Sequence, residues 1–152
     1  DPLGSLTQDP RLEKARAGMQ EILSTACAWA AQRTDNHLSQ LKSDANRQFI
    51  AEVRDWLAAN SRDPSLNLAK IAGAHGLTPA YLSRLFRENM EEGIFDHLNR
   101  IRIEQAKQFL RTTDSNLQDI GTECGFTDIK TFIRTFKKFV GTTPGKFRES
   151  AK

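Results

Sequence analysis

Arg84 and Arg134 stand fifty residues apart, and each is followed by the same kind of neighbour: Phe86 and Arg87 after the first, Phe136 and Lys137 after the second. At helical spacing the two basic residues share a face, while the phenylalanine between them turns to another. The exposed faces then carry Ala80, Ser83, Arg84 and Arg87 in one stretch, and Lys130, Thr131, Arg134 and Lys137 in the other. Arginine donates two bonds to a guanine edge, serine and threonine bond to several edges, and alanine or isoleucine touches a thymine methyl group. Such a mixture suits the major groove of a duplex. Arg87, Lys137 and Lys138, farther along each helix, are placed to meet phosphates.

The elements that would carry these side chains follow from punctuation and period. Asn67 caps a helix with Leu68, Ile71 and Ala72 inward; His75-Gly76-Leu77 forms a turn; Thr78 caps a second helix with Pro79 at its first position and Leu82, Leu85 and Phe86 inward. Leu68, Ile71 and Gly76 recur 49 residues later as Leu117, Ile120 and Gly125, with Asn116 as the cap. Each copy reads as a helix-turn-helix, at about 67–90 and about 116–140. Between them Ile94, Leu98, Ile101, Ala106, Phe109 and Leu110 mark a long linking helix over about 94–112. A helix over 47–60 opens this domain, with Phe49, Ile50, Val53, Trp56 and Leu57 at helical period, and Thr143-Pro144 starts a last short one through Phe147. The fold class expected is all-α: two helix-turn-helix subdomains joined by a long linker helix and preceded by an N-terminal helical segment.

Residues 1–5, DPLGS, read as a cloning scar, and 6–46 as an N-terminal helical segment and linker. Asp9-Pro10 starts a helix through residue 33 whose stripe of Met19, Ile22, Leu23, Ala26, Cys27 and Ala30 suits a neighbour or a two-helix seam, so residues 19–30 are a candidate homodimer contact. Thr34-Asp35-Asn36 is expected to break that helix, with a short return at Leu38 and Leu41 and a linker over 42–46. Trp29 and Trp56 are expected to pack.

The formal charge is +3, but residues 1–46 carry five Lys and Arg against six Asp and Glu, whereas 47–152 carry seventeen against thirteen. From Asp128 onward there are seven basic and two acidic residues, which points to a polyanionic partner at that end. Cys27 and Cys124 lie far apart without metal or redox spacing, and are expected to be reduced, buried thiols of a cytosolic protein. His37, His75 and His97 fall on separate elements, and neither GxSxG nor a phosphate-cradling glycine loop occurs, so the sequence offers no catalytic or metal site and calls for no cofactor. No apolar run is long enough to span a membrane.

SLNLAKIAGAHGLTPAYLSRLFRE, RIRIEQAKQFL and IGTECGFTDIKTFIRTFKKFVGTTPGKFR, in this order, resemble the DNA-binding domain of the AraC/XylS family of bacterial transcription regulators over residues 47–149. The resemblance implies two recognition helices in successive major grooves of double-stranded DNA. Its base-reading positions would be Ala80, Ser83 and Arg84, then Ile129, Lys130, Thr131 and Arg134. It also implies activation through RNA polymerase as the commoner role. The N-terminal 46 residues resemble the segment that precedes this domain in membrane-anchored members, which implies a cytoplasmic output end of a larger receptor; a helical pair capping the domain's core is the alternative. Three positions depart from the family pattern. Glu91 replaces a glycine, with Gly93 two residues later, which puts that turn in doubt. Gly121 replaces an alanine, which should loosen its helix by roughly 1 kcal/mol. Lys130-Thr131 replaces Ser-Tyr or Ser-His, so base preference does not carry over. The rival reading is a helical interaction module whose basic face meets an acidic protein.

Overall fold

The computed structural model describes residues 10–151 and folds them into seven helices, with no strand among the described residues. They are α1 (Pro10–Asn60), α2 (Leu68–Ala74), α3 (Pro79–Met90), α4 (Ile94–Thr112), α5 (Leu117–Glu123), α6 (Ile129–Val140) and α7 (Pro144–Ala151). Two compact units divide between Ala45 and Asn46. The DPLGS stretch read as a cloning scar and the cap expected at Asp9 lie outside the described residues.

In the first unit the expected break is absent: α1 runs through Thr34-Asp35-Asn36 and through 42–46. None of these residues is glycine or proline, and the helix absorbs their polarity locally. Thr34 Oγ1 donates to the Ala30 carbonyl at 2.9 Å, and Gln40 Nε2 to Asp44 Oδ1 at 3.2 Å. Residues 10–45 are thus one helix rather than a pair. With no second element in the unit, Met19, Ile22, Leu23, Leu38 and Leu41 stay exposed, and so do Trp29 and Cys27, which sequence reading had assigned to packing and burial. Trp29 instead lies under the Arg33 guanidinium, 4.6 Å from the ring centroid.

The second unit has two adjoining cores. Ile50, Val53 and Leu57 from the end of α1, Ile71 and Ala72 from α2, Leu82, Leu85 and Phe86 from α3, and Ile94 and Leu98 from α4 form one. Ile103, Ala106 and Leu110 from α4, Ile120 and Cys124, Phe126, and Phe132 and Phe136 from α6 form the other. The spacing of Ile50, Val53 and Leu57 is that of Ile103, Ala106 and Leu110, so the second half of α4 plays for the second core the part that α1 plays for the first. The first half of α4 corresponds in turn to α7: His97 meets Phe86 edge-on at 5.5 Å, and Phe147, fifty residues on, meets Phe136 edge-on at 5.5 Å. The duplicated unit is therefore four helical segments long, and α4 belongs to both copies.

Local geometry repeats as well. Asn67 and Asn116 accept at their side chains from the N–H groups of Lys70 and Asp119, at 2.9 and 2.8 Å. Gly76 and Gly125 take φ of 66° and 89° at the two turns, a left-handed conformation that glycine adopts without strain. The departure at Glu91 does not alter its turn. Glu91 takes φ 57° where Gly141 takes 84°, and each donates its N–H to the carbonyl four residues back, at 2.9 Å. The second departure has a steric setting: a Cβ on Gly121 would stand 3.2–3.3 Å from Phe132. In the first copy the same two places hold Ala72 and Leu82, so a larger ring is matched by a smaller helix residue.

Candidate nucleic-acid interface

Burying Leu82, Leu85 and Phe86 fixes which way α3 presents its remaining side chains. Ala80, Arg84 and Arg87 are exposed, Ser83 is half-buried, and with Leu68 and Glu88 they line an open groove. The Arg84 guanidinium lies 5.4 Å from the centroid of the Tyr81 ring and its Nε 3.8 Å from Glu88 Oε1. Both partners leave it well exposed, so these contacts orient the side chain more than they bind it. Tyr81 itself, 41% exposed, occupies the position equivalent to Thr131 and was passed over in the sequence; the fifty-residue offset was the signal for it.

On α6, burial of Phe132, Thr135 and Phe136 leaves Lys130, Arg134 and Lys137 exposed on the other side. Asp128 caps the helix: one carboxylate oxygen accepts from the Thr131 N–H and the other from Thr131 Oγ1, both at 2.8 Å. These bonds, the backbone one foremost, hold the Asp128 carboxyl below the usual carboxylate range. Thr131 is half-buried with its hydroxyl proton committed to the cap, so its oxygen is left to accept a bond from a base amino group. Ile129 is half-buried and packs against the second core, sharing its side chain between core and surface.

Lys138 differs from Lys137. Its ammonium donates to Asp96 Oδ1 on α4 at 2.8 Å, whereas Lys137 projects from the exposed face. The candidate residues thus form two clusters, one on each of α3 and α6, with matched arginines at equivalent places. In charge the clusters are unequal: α6 carries Lys130, Arg134, Lys137 and Lys138 without an acidic residue, while α3 carries Arg84 and Arg87 against Glu88. The His75 ring is edge-on to Phe49 and Trp56, which makes Trp56 a packing residue as expected. No group of residues able to hold a metal ion occurs among the described residues.

Residues 71–150 match a family model described as a helix-turn-helix domain. A curated relative, the uncharacterized HTH-type transcriptional regulator YijO of Escherichia coli K12, is 31% identical over 111 residues, covering 72% of this chain and 39% of its own. The chain therefore spans well under half the length of that relative. Among solved structures, the C-terminal domain of the two-component response regulator yesN from Fusobacterium nucleatum is 30% identical with a TM-score of 0.62, over 64% of this chain and 95% of its own. A transcriptional regulator of the AraC-type DNA-binding domain-containing proteins from Chromobacterium violaceum shares the fold at 24% identity, with a TM-score of 0.61 over 72% of this chain and 94% of its own.

Proposed function

Because the chain belongs to the AraC-type helix-turn-helix family of transcription regulators, we propose that α3 and α6 are its two recognition helices, reading successive major grooves on one side of double-stranded DNA. The observation that carries this reading is the duplicated outward face, Arg84 and Arg87 on α3 against Arg134 and Lys137 on α6, borne by two cores that share α4. Ala80, Ser83 and Arg84 read bases in one groove, and Ile129, Lys130, Thr131 and Arg134 in the next. Arg87 and Lys137 hold phosphates, with Lys138 released from Asp96 to join them. It is family membership that makes the chain a regulator and not an enzyme.

The larger protein acts in the cytoplasm as an activator working through RNA polymerase, and it pairs through residues 19–30, where Met19, Ile22 and Leu23 are exposed. No described helix is long and apolar enough to cross a membrane. A salt titration on a duplex selected from random sequence tests the DNA reading. Several phosphate contacts predict a linear fall of log affinity with log salt, losing roughly 0.9 per contact, with preference for the selected site persisting. Failure to hold any duplex at low salt would leave the rival, an acidic protein partner, in possession of the basic face.

A further inference from the structure

Arg102 lies in the middle of α4, between the residues that α4 gives to the first core and those it gives to the second. It is 8% exposed and is the one charged side chain buried among the described residues. Its guanidinium does not seek a carboxylate side chain. Nε donates to the Ser61 carbonyl at 2.7 Å and Nη2 to the Asp63 carbonyl at 2.8 Å, so the fork closes on the loop that leads from α1 into α2. Beside it Gln105 Nε2 donates to Ser61 Oγ at 3.0 Å, and Ser61 Oγ donates to the Ala58 carbonyl. Ser61 is fully buried.

The same loop is touched from the second copy. Gly125, in the turn between α5 and α6, comes so close that a Cβ there would stand 2.5 Å from the Ser61 carbonyl oxygen and 3.0 Å from the Arg62 carbonyl. Phe126, the next residue, has its ring 5.7 Å from the Arg102 guanidinium. At Gly76, the equivalent turn of the first copy, a Cβ would meet nothing within 4 Å. Gly125 therefore answers a close approach that its counterpart does not have. Three segments meet at this point: the loop feeding the first helix-turn-helix, the turn inside the second, and the helix common to both.

We propose that the junction of Arg102, Ser61 and Gly125 is an orientation lock that holds α3 and α6 at one separation and phase, and so sets the spacing of the two half-sites the protein accepts. The proposal rests on the two-groove reading above. Joined through the shared helix alone, the two copies would be held in phase only by the stiffness of α4, and long helices curve gently along their length. A buried fork on two backbone carbonyls pins the first copy's loop to α4, because moving that loop would leave a buried charge without its acceptors, and the close approach of Gly125 seats the second copy's turn against the same loop. Arg102 is a positioning residue in this account; it touches no base.

Paired spin labels at Ala69→Cys on α2 and Gln118→Cys on α5, equivalent places in the two copies, read the lock without DNA. They are placed in a Cys27→Ser background. Cys124 is left in place, since its buried thiol, with a pKa raised to about 11, resists labelling. The wild-type lock predicts one narrow distance, Arg102→Met a broad distribution, and Arg102→Lys, which keeps the charge but loses the fork, an intermediate one. On DNA, inserting one base pair between half-sites rotates them by roughly 35°. That should cost the wild type on the order of 10²-fold in affinity through loss of simultaneous engagement, and Arg102→Met no more than about threefold. Should Arg102→Met fail to fold, Arg102→Lys and Gln105→Leu decide by the same readouts. Distance distributions and spacing penalties equal to wild type in the folded variants would overturn the lock. Were no duplex bound at all, the two-groove reading would fall, and the spin-label distances alone would still decide whether the junction fixes the copies.

Discussion

Arg84 and Arg134 are alike in sequence but differ in company: Arg84 has Tyr81 and Glu88 beside it, whereas α6 offers Arg134 no acidic neighbour. Replacing either with alanine should cost about 1–3 kcal/mol at the selected site and relax base preference there. Lys137→Ala should instead weaken all sequences alike and reduce the salt slope by about one. Equal losses on selected and random DNA for the arginine variants would assign them to phosphate. Glu91 gives a second prediction at this scale. A glutamate at φ 57° bears the strain that glycine escapes at Gly141, partly offset by glycine's greater freedom when unfolded, so Glu91→Gly should stabilise by about 0.5–1 kcal/mol in denaturant melts. Asp128 gives a third. Its depressed carboxyl pKa means that the capped, ionised form adds stability above the unfolded value near 3.8, and that this contribution is lost as pH falls through the lower folded value. Asp128→Asn should lower the melting temperature at neutral pH and flatten its decline below about pH 4. These roles were legible in part: the basic face and the glycine departure were read from local signals, the Asp128 cap was not read although it too is local, and the pairing of Lys138 with Asp96 joins residues 42 apart on two helices.

Helix identity was read from capping residues and period, and it was most secure where Asn67, Thr78, Asn116 and the turn glycines punctuate the chain. It failed over 34–46, where polar residues without glycine or proline look like a break yet leave the helix its hydrogen bonds. It also gave no sign of the partner of Gly121, because propensity is blind to what lies across the interface. Adding a methyl there crowds Phe132, at a cost of about 1–3 kcal/mol that offsets or exceeds the roughly 1 kcal/mol that alanine gains over glycine in a helix. The double change Gly121→Ala with Phe132→Leu restores the Ala72 and Leu82 pairing of the first copy. It should be less harmful than the sum of its parts, a coupling that a double-mutant cycle in urea measures. Gly18 provides the contrast. A Cβ there meets nothing within 4 Å, so Gly18→Ala should raise helix content in α1.

Across the chain, stability should follow the two cores. Residues 10–41, exposed but for half-buried Gly18, should exchange amide hydrogens far faster than α3, α4 and α6, which hydrogen exchange followed by mass spectrometry would resolve. The repeat of the two helix-turn-helix units was visible in sequence because glycines, caps and arginines recur at fixed offsets. That each copy has a wall before and after those units was not, since Ile50, Val53 and Leu57 recur at a different offset from the rest. Arg102 was hidden for another reason: a charged residue on an amphipathic helix ordinarily faces water. The double use of α4 also dictates where this domain can be cut. No single cleavage yields two whole copies, because whichever fragment loses α4 loses one side of its core. Two pieces that both contain residues 94–112, one beginning near Asn46 and one ending near Ala151, each keep all four segments. The domain is thus divisible only into overlapping parts.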